Sequence, residues 1–468
     1  MQPFPSGARA WTAEARATLV LAWPIALTNL SQIALTVTDT ALLGRLSTEA
    51  LAAVTLGSAL WWAALAPGFG VAFAAAAVLA QERGAGGRGV IRRMRRSLRA
   101  ALHLALLACI PPALLCWHAG PVLVALGQDP ALAALAQSYL RAMVWGMPCF
   151  FGFLVLRSFL SALERPRPAL LVVLGAVALN AALGWLLIFG EYGAPALGAV
   201  GAGVAAAVSD LFMLVGLGLV CAWHPRFRRY RVFGRLWRPD VPRLWEMLRL
   251  GLPIAGTMVL EIGMFSAVGL LMGRFGTGAV AAHAVALQVA SATFMVPLGI
   301  GQAATARVGL AAGAGQPAAA QRSGWTAIAL AASFALVCAA ALVLFPAAVV
   351  AVFLDPRAPG AADTMALAAT LLAVAGAFQL ADGVQTAAGG ALRGLKDTRV
   401  PMWLAACGYW VLGLPAAWLL SGPLNGGPLG VWAGLAAGIA LVSVLLTWRW
   451  ARLSKGFAPA ALPAGRVA

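Results

Sequence analysis

Acidic residues are scarce in this chain: 15 Asp and Glu against 33 Lys and Arg in 468 residues, a formal net charge of +18. Lysine is scarcer still, confined to Lys396 and Lys455, so the positive charge is almost all arginine. Long polar stretches are missing. With 62% hydrophobic and 10% charged residues and a mean hydropathy of +0.88, no segment is left over for a soluble domain. The six cysteines (Cys109, Cys116, Cys149, Cys221, Cys338 and Cys407) lie in or beside apolar segments without a C-x-x-C pair, which argues against a disulfide framework or a metal site. No H-E-x-x-H motif and no Ser/Lys or Ser/His pair at a plausible spacing falls in the apolar segments, so an embedded enzyme is not expected. A clean signal peptide is also lacking. The first apolar run, Leu19 to Leu43, is too long for an h-region and continues as a span.

What the chain has instead is hydrophobic length. A helix needs about 20 apolar residues to cross a bilayer. Hydropathy and turn residues divide the sequence into twelve such spans: 17–43, 51–80, 97–118, 132–160, 168–190, 197–222, 247–274, 279–310, 324–354, 363–390, 401–421 and 428–450. The fold class expected is all-α integral membrane.

The arginines collect in alternate loops. One set carries Arg83 to Arg99, Arg165 and Arg167, Arg226 to Arg243, Arg322, and Arg393 with Lys396 and Arg399; the opposite set holds little beyond Arg45, Arg274 and Arg357. This is the asymmetry of the positive-inside rule, and it predicts cytoplasmic N- and C-termini in a multi-pass inner-membrane protein. It also accounts for the charge without a nucleic-acid partner. The arginine and alanine bias points to a GC-rich bacterial genome.

The chain repeats itself. Pro24-Ile-Ala and Gly44-Arg-Leu recur at the same offset as Pro253-Ile-Ala and Gly273-Arg-Phe, and Ala162-Leu matches Ala391-Leu. A period of about 230 residues means two six-helix lobes related by an axis along the membrane normal. The expected organisation is a lobe over 1–223, a basic linker over 224–243, a second lobe over 244–455 and a short tail over 456–468.

Four acidic residues fall inside spans: Asp39, Asp210, Glu261 and Asp382. An ionised side chain at mid-bilayer costs a few kcal/mol or more, so each must face the bundle interior or a water-filled cavity. There it takes a proton or a cation, which is the chemistry of a cation-coupled transporter. Glu261 lies about midway between Arg249 and Arg274, near the bilayer centre at about 1.5 Å per residue. Asp382 shares a helix face with Gln379 and Gln385, a polar stripe that serves either a cavity or interhelical hydrogen bonding. Asp39 sits among Thr36, Thr38 and Thr40, and Asn180 supplies an amide in the same half. Asp210 follows Ser209 on a helix of small residues, where a packing role and a functional one are equally open. His283 reads as a packing residue. Pro24, Pro67, Pro148, Pro253 and Pro297 mark kinks.

Five stretches carry a family resemblance: Thr38-Asp-Thr-Ala-Leu-Leu-Gly44, Phe189-Gly-Glu-Tyr-Gly-Ala-Pro-Ala-Leu-Gly198, Ala281-Ala-His-Ala-Val-Ala-Leu287, Leu392-Arg-Gly-Leu-Lys-Asp-Thr398 and Tyr409-Trp-Val-Leu-Gly-Leu-Pro415. In this order on a duplicated frame, the chain resembles the multidrug and toxic compound extrusion (MATE) family, in its bacterial NorM-type branch. The resemblance implies efflux of lipophilic cationic small molecules in exchange for Na⁺ or H⁺, without a further cofactor and from a monomer. It implies a second-lobe cation site at Glu261 and Asp382, where Na⁺ is an expected ligand, and a first-lobe site at Asp39 with Asn180. Phe378 replaces a tyrosine found before the tenth-helix aspartate in some Na⁺-coupled relatives, and Gly184 replaces a polar residue one turn after Asn180. The other class in play is a flippase for lipids or lipid-linked precursors, which shares a related fold; acidic in-span charges favour cationic cargo.

Overall fold

A computed structural model describes residues 8–234, 236–354 and 361–455; Arg357 and the tail over 456–468 lie outside the described residues. The described residues form helices and turns with no strand. Among the described residues, twelve helical segments are long and apolar enough to span a bilayer: α1 (Arg9–Leu46), α2 (Thr48–Ala85), α3 (Val90–Trp117), α4 (Pro130–Ala162), α5 (Arg167–Phe189), α6 (Ala199–Trp223), α7 (Val241–Gly273), α8 (Thr277–Gly313), α9 (Pro317–Leu344), α10 (Ala362–Gly394), α11 (Arg399–Ser421) and α12 (Gly427–Lys455). Large apolar side chains such as Leu252, Leu270, Val337, Val411 and Val444 point outward along them. In water such a surface would aggregate; in lipid it is solvated.

Several helices run further than hydropathy predicts, chiefly at basic ends, whereas α9 stops at Leu344 instead of the expected 354, because Phe345 leaves the helix and Pro346 opens a separate short helix, Pro346–Val350. Arg92, Arg93, Arg95 and Arg96 belong to the first turns of α3 instead of a loop. Helix satisfies the backbone there, and long arginine side chains carry their charge out along it. The prolines divide into two kinds. Pro67 and Pro148 follow local breaks, a turn at Leu65 in α2 and a 3₁₀ segment at Val144–Gly146 in α4. Pro24 and Pro253 sit inside unbroken helices, each removing one backbone N–H. One turn later a threonine hydroxyl donates to the proline's carbonyl: Thr28 to Pro24 at 2.7 Å, and Thr257 to Pro253 at 3.0 Å. The same bend-prone device therefore opens both halves of the repeat.

The chain packs into two compact units. One comprises Trp23–Leu79 and Gly87–Ile262; the other comprises Met1–Ala22, Ala80–Gly86 and Gly263–Ala468. In the first, α6 packs on α4 and α5, and α2 on α4. The basic segment before α7 is tied to α3: Arg96 Nε donates to Asp240 Oδ2 at 2.6 Å, His103 Nε2 lies 2.7 Å from the Leu236 carbonyl, and Arg243 donates to Ser97. Burial opposes ionisation of Asp240, but the hydrogen bond and charge of Arg96, with Arg243, hold its carboxyl below the ordinary carboxylate range.

In the second unit, α10 is the central element, packed on α8, α9 and α12. The α11–α12 crossing is close enough that a Cβ at Gly434 would collide with the Ala417 backbone. Residues Cys407–Gly413 of α11 form a π-helical segment. A buried clamp joins α1 to α8 and α9: Arg307 holds Glu14 through Nε–Oε1 at 2.7 Å and Nη2–Oε2 at 2.5 Å, and Ser323 donates to Oε1 at 2.7 Å. Every oxygen of Glu14 is thus engaged, the condition under which a buried pair is tolerated.

Two stability predictions follow from these pairs. Glu14→Ala strands a buried guanidinium and should cost roughly 3–5 kcal/mol, while Glu14→Leu with Arg307→Met should recover most of the loss; thermal unfolding in detergent checks both, and an unchanged midpoint in Glu14→Ala would refute the clamp. Asp240 has its folded-state proton affinity lowered, so its contribution is complete above about pH 4 and fades as pH falls further. Because Arg96 is 44% exposed, Asp240→Asn should cost about 1 kcal/mol or less. The difference from wild type should be constant between pH 6 and 8 and shrink near pH 3.

Candidate functional site

The acidic residues of the first unit converge from separate helices. Asp39, on α1, is 4% exposed, and its Oδ1 accepts a 2.7 Å hydrogen bond from Asn180 Nδ2 on α5. The Asn180 Oδ1 in turn lies 3.3 Å from Ser209 Oγ on α6, whose single proton is shared between that oxygen and the Ala205 carbonyl at 2.8 Å. The amide is therefore oriented from behind, with its NH₂ group fixed toward the carboxylate. Asp210 lies next to Ser209 and is 7% exposed. It packs against Gly146 in the 3₁₀ break of α4, where a Cβ would stand 2.7 Å from Asp210 Oδ2.

A cavity of about 50 Å³ joins these groups, lined by Asp39, Asp210, Asn180, Ser58, Tyr139 and Gln32 among apolar walls that include Trp61, Trp62 and Phe150. A water needs about 10–15 Å³ of such space, so the cavity admits a few waters or a small ion. Among the described residues, no arginine, lysine or histidine lines it. Thr36 reaches the cavity; Thr38 and Thr40 instead back-bond to the carbonyls of Ala34 and Thr36 at 2.8 Å and play no part in it.

Hydropathy reasoning overlooked several members of this region. Tyr139 is fully buried with its ring against Gly57, and its hydroxyl is hydrogen-bonded with Ser58. Arg157, on α4, is buried within an apolar span, and its Nη1 donates to Asn29 Oδ1 at 2.9 Å and Gln32 Oε1 at 3.2 Å. Its partners are neutral amides, so its charge is spread over dipoles. An arginine in the middle of Leu-Val-Leu-Arg-Ser-Phe-Leu, with Asn29 and Gln32 on a second span, was the available signal.

In the second unit, Gln379 donates to Thr293 and, at 3.3 Å, to the Ala290 carbonyl of α8. Gln385 donates to the Tyr409 hydroxyl in the π-helical segment at 2.6 Å. Both amides of the polar stripe are thus interhelical bonds flanking the buried Asp382. Phe378 packs edge-on against Phe265 and Trp432, and Trp432 against His283, with ring centroids 6.1, 5.8 and 5.7 Å apart. His283 is a packing residue here. Glu261 is half-buried on α7 in the first unit, and Asp382 belongs to the second. Among the described residues, no group of three His, Cys, Asp or Glu side chains could hold a metal ion.

The MatE family model matches twice, over residues 24–186 and 253–419, once in each half of the repeat. The chain belongs to the MatE family. Across 97% of both sequences this MatE chain is 46% identical to a Mesorhizobium japonicum protein named "Probable multidrug resistance protein NorM". A Brucella suis protein of the same name is 43% identical over 96% of each chain. The fold is that of the eukaryotic MATE transporter AtDTX14, with a TM-score of 0.84 at 21% identity over 96% of this chain and 98% of that one. These are transporters, not enzymes, and the duplicated match agrees with two six-helix halves.

The geometry makes Asn180 a positioning residue for Asp39. Asn180→Leu is expected to leave the chain folded and monodisperse in detergent but to move the Asp39 carboxyl band, because the carboxyl loses the donor that Asn180 supplies. Infrared titration of the carboxyl band in wild type, Asn180→Leu and Asp39→Asn checks this; an Asp39 band indifferent to Asn180 would refute it.

Proposed function

We propose that this protein is a secondary efflux transporter that exports lipophilic cationic compounds in exchange for Na⁺ or H⁺, with Asp39 as the acid whose charge state couples the two. The observation that carries the reading is Asp39 itself: buried in α1, held by one neutral amide, facing a small cavity without a basic residue. A carboxylate so placed is stable only when a proton or cation neutralises it. A group that must exchange its neutralising ion each time the cavity opens is the element antiport needs. The names of the curated relatives support multidrug export as the task.

Further parts of this reading rest on the family resemblance and the charge pattern. Glu261 and Asp382 are candidate acids of the second half, with Na⁺ as a possible ligand in exchange with protons; the coupling ion is the only cofactor. The protein acts as a monomer in the bacterial inner membrane, both termini in the cytoplasm, alternating access between its two halves.

Purified protein in liposomes loaded with a fluorescent lipophilic cation, given a Na⁺ or a H⁺ gradient in turn, tests this. Wild type should move the dye with one gradient and not the other. Asp39→Asn should lose at least nine-tenths of that movement while still binding the dye, and Glu261→Gln and Asp382→Asn should show whether the second half shares the coupling. Gradient-independent leakage in wild type, or full activity in Asp39→Asn, would reject the assignment.

A further inference from the structure

The segment that joins α6 to α7 carries more charge than a connection needs. From His224 to Asp240 it holds six arginines and one acid. Asp240 is taken by Arg96 of α3 and by Arg243, and among the described residues no ion pair engages Arg226, Arg228, Arg229, Arg231 or Arg238. A positive-inside bias accounts for arginine in a loop at this end of the helices. It does not require the loop to be folded, and this one is. Its 3₁₀ turn, Arg228–Tyr230, packs on α3 and α6. Phe227, Tyr230 and Val232 are buried beneath it, with the Tyr230 ring edge-on to Phe159 of α4 at a centroid distance of 5.3 Å. The contacts of Leu236, Asp240 and Arg243 with α3 fasten the remainder.

Burial of those three side chains turns the arginines between them outward. All five are exposed, and the Arg229 guanidinium is steadied by the Tyr230 ring, 5.2 Å from its centroid. Guanidinium groups on a fixed backbone lose less freedom on binding an oxyanion than those of a floppy loop, and their paired N–H donors match a phosphate. Without an anion among them, such closely spaced cations repel one another and oppose the folded turn.

Two indoles point to the kind of anion. Trp223, at the end of α6, is 74% exposed, and Trp237, between spans, is 76% exposed. Contact with hydrocarbon explains exposed leucines along the spans but not a tryptophan outside them. Indole rings favour the headgroup layer, where one edge is wet and the other meets acyl chain. Single-stranded nucleic acid also combines phosphate with aromatic contact. Trp223, however, closes a spanning helix, so its ring lies where the bilayer begins and lipid is the neighbour at hand.

We infer that the α6–α7 connection is a binding site for an anionic phospholipid, with Arg228, Arg229 and Arg231 holding the headgroup phosphate and Trp223 and Trp237 lying in the interfacial layer beside it. The inference is independent of what the protein exports. It predicts selectivity by charge: phosphatidylglycerol and phosphatidylethanolamine share a phosphate, but the ammonium of the second cancels its charge and is repelled by the arginines.

Native mass spectrometry of the full chain released from detergent, titrated with either lipid at matched acyl chains, tests this. An arginine beside an anionic lipid surface contributes about fivefold in binding, so wild type should hold its first phosphatidylglycerol at least about tenfold more tightly than phosphatidylethanolamine. Arg228→Gln/Arg229→Gln/Arg231→Gln should lose that preference. Arg45→Gln/Arg274→Gln, which removes two exposed arginines at the far ends of α1 and α7, should keep it. Equal retention of both lipids by wild type, an unchanged preference in the triple variant, or the same loss in the control pair would overturn the proposal. Should the triple variant not fold, wild type in nanodiscs containing a phosphatidylglycerol with a photoreactive headgroup decides alone. Adducts mapped to residues 223–243 support the site, and their absence from that segment overturns it. Tighter binding of a short single-stranded RNA than of phosphatidylglycerol would also overturn it and give the surface to nucleic acid.

Discussion

An ion inside a membrane must be neutralised, and the layout of this protein follows from how it meets that requirement. Three solutions appear. Glu14 and Arg307 neutralise one another with Ser323 filling the remaining acceptor position, so the pair is saturated and fixed. Arg157 is surrounded by the oxygens of two neutral amides, which spreads its charge but adds no counter-ion. Asp39 and Asp210 face a cavity. Only the third arrangement leaves room for an ion to come and go, as the proposed coupling role of Asp39 requires. Counting acids in spans does not separate these arrangements; counting their partners does.

The duplication shows which features belong to the frame and which to the site. Pro24–Thr28 and Pro253–Thr257 keep the same bond in both halves, as a mechanical device should. The offset that carries Pro24 onto Pro253 carries Gln32 onto Glu261 and Asp39 onto Val268. An amide on the wall of the first-half cavity thus stands where the second half has an acid, and the first-half acid has an apolar counterpart. The frame was copied, and the charge was placed differently in each copy. Two halves that do not carry their acids at matching positions need not bind the same ion in the same way.

Much of the frame is legible in the sequence because hydrophobic length and the 3.6-residue helix are local properties. All twelve spans are found that way, and their ends drift where arginines continue a helix past the apolar core, as at Arg92 to Arg96, or where a proline breaks an apolar run, as at Pro346 after α9. Asp39 and Asn180 stand out because a carboxylate and an amide are rare in such surroundings. Glu14 with Arg307 does not, since the partners lie 293 residues apart and each falls near a span end. Asp210 was visible as an anomaly without a role. Which groups it faces depends on the rotation of α6 about its axis and on the space that Gly146 leaves in the α4 break, and neither is encoded in hydropathy.

The size of the cavity bears on how export and ion entry exclude each other. With about 50 Å³ of space, it accommodates a small ion or a few waters, while its walls include Trp61, Trp62, Leu35, Leu65 and Phe150. A lipophilic cation cannot fit beside the acids in this state; it can meet their charge only across those walls or after they part. Aromatic faces suit either case, because they attract a poorly hydrated cation without requiring a matched hydrogen bond. On the proposed reading, cargo and coupling ion then compete for the negative charge of the site more than for its volume. Such competition tolerates cargo of many shapes, since the only property every cargo must share with the ion is its sign.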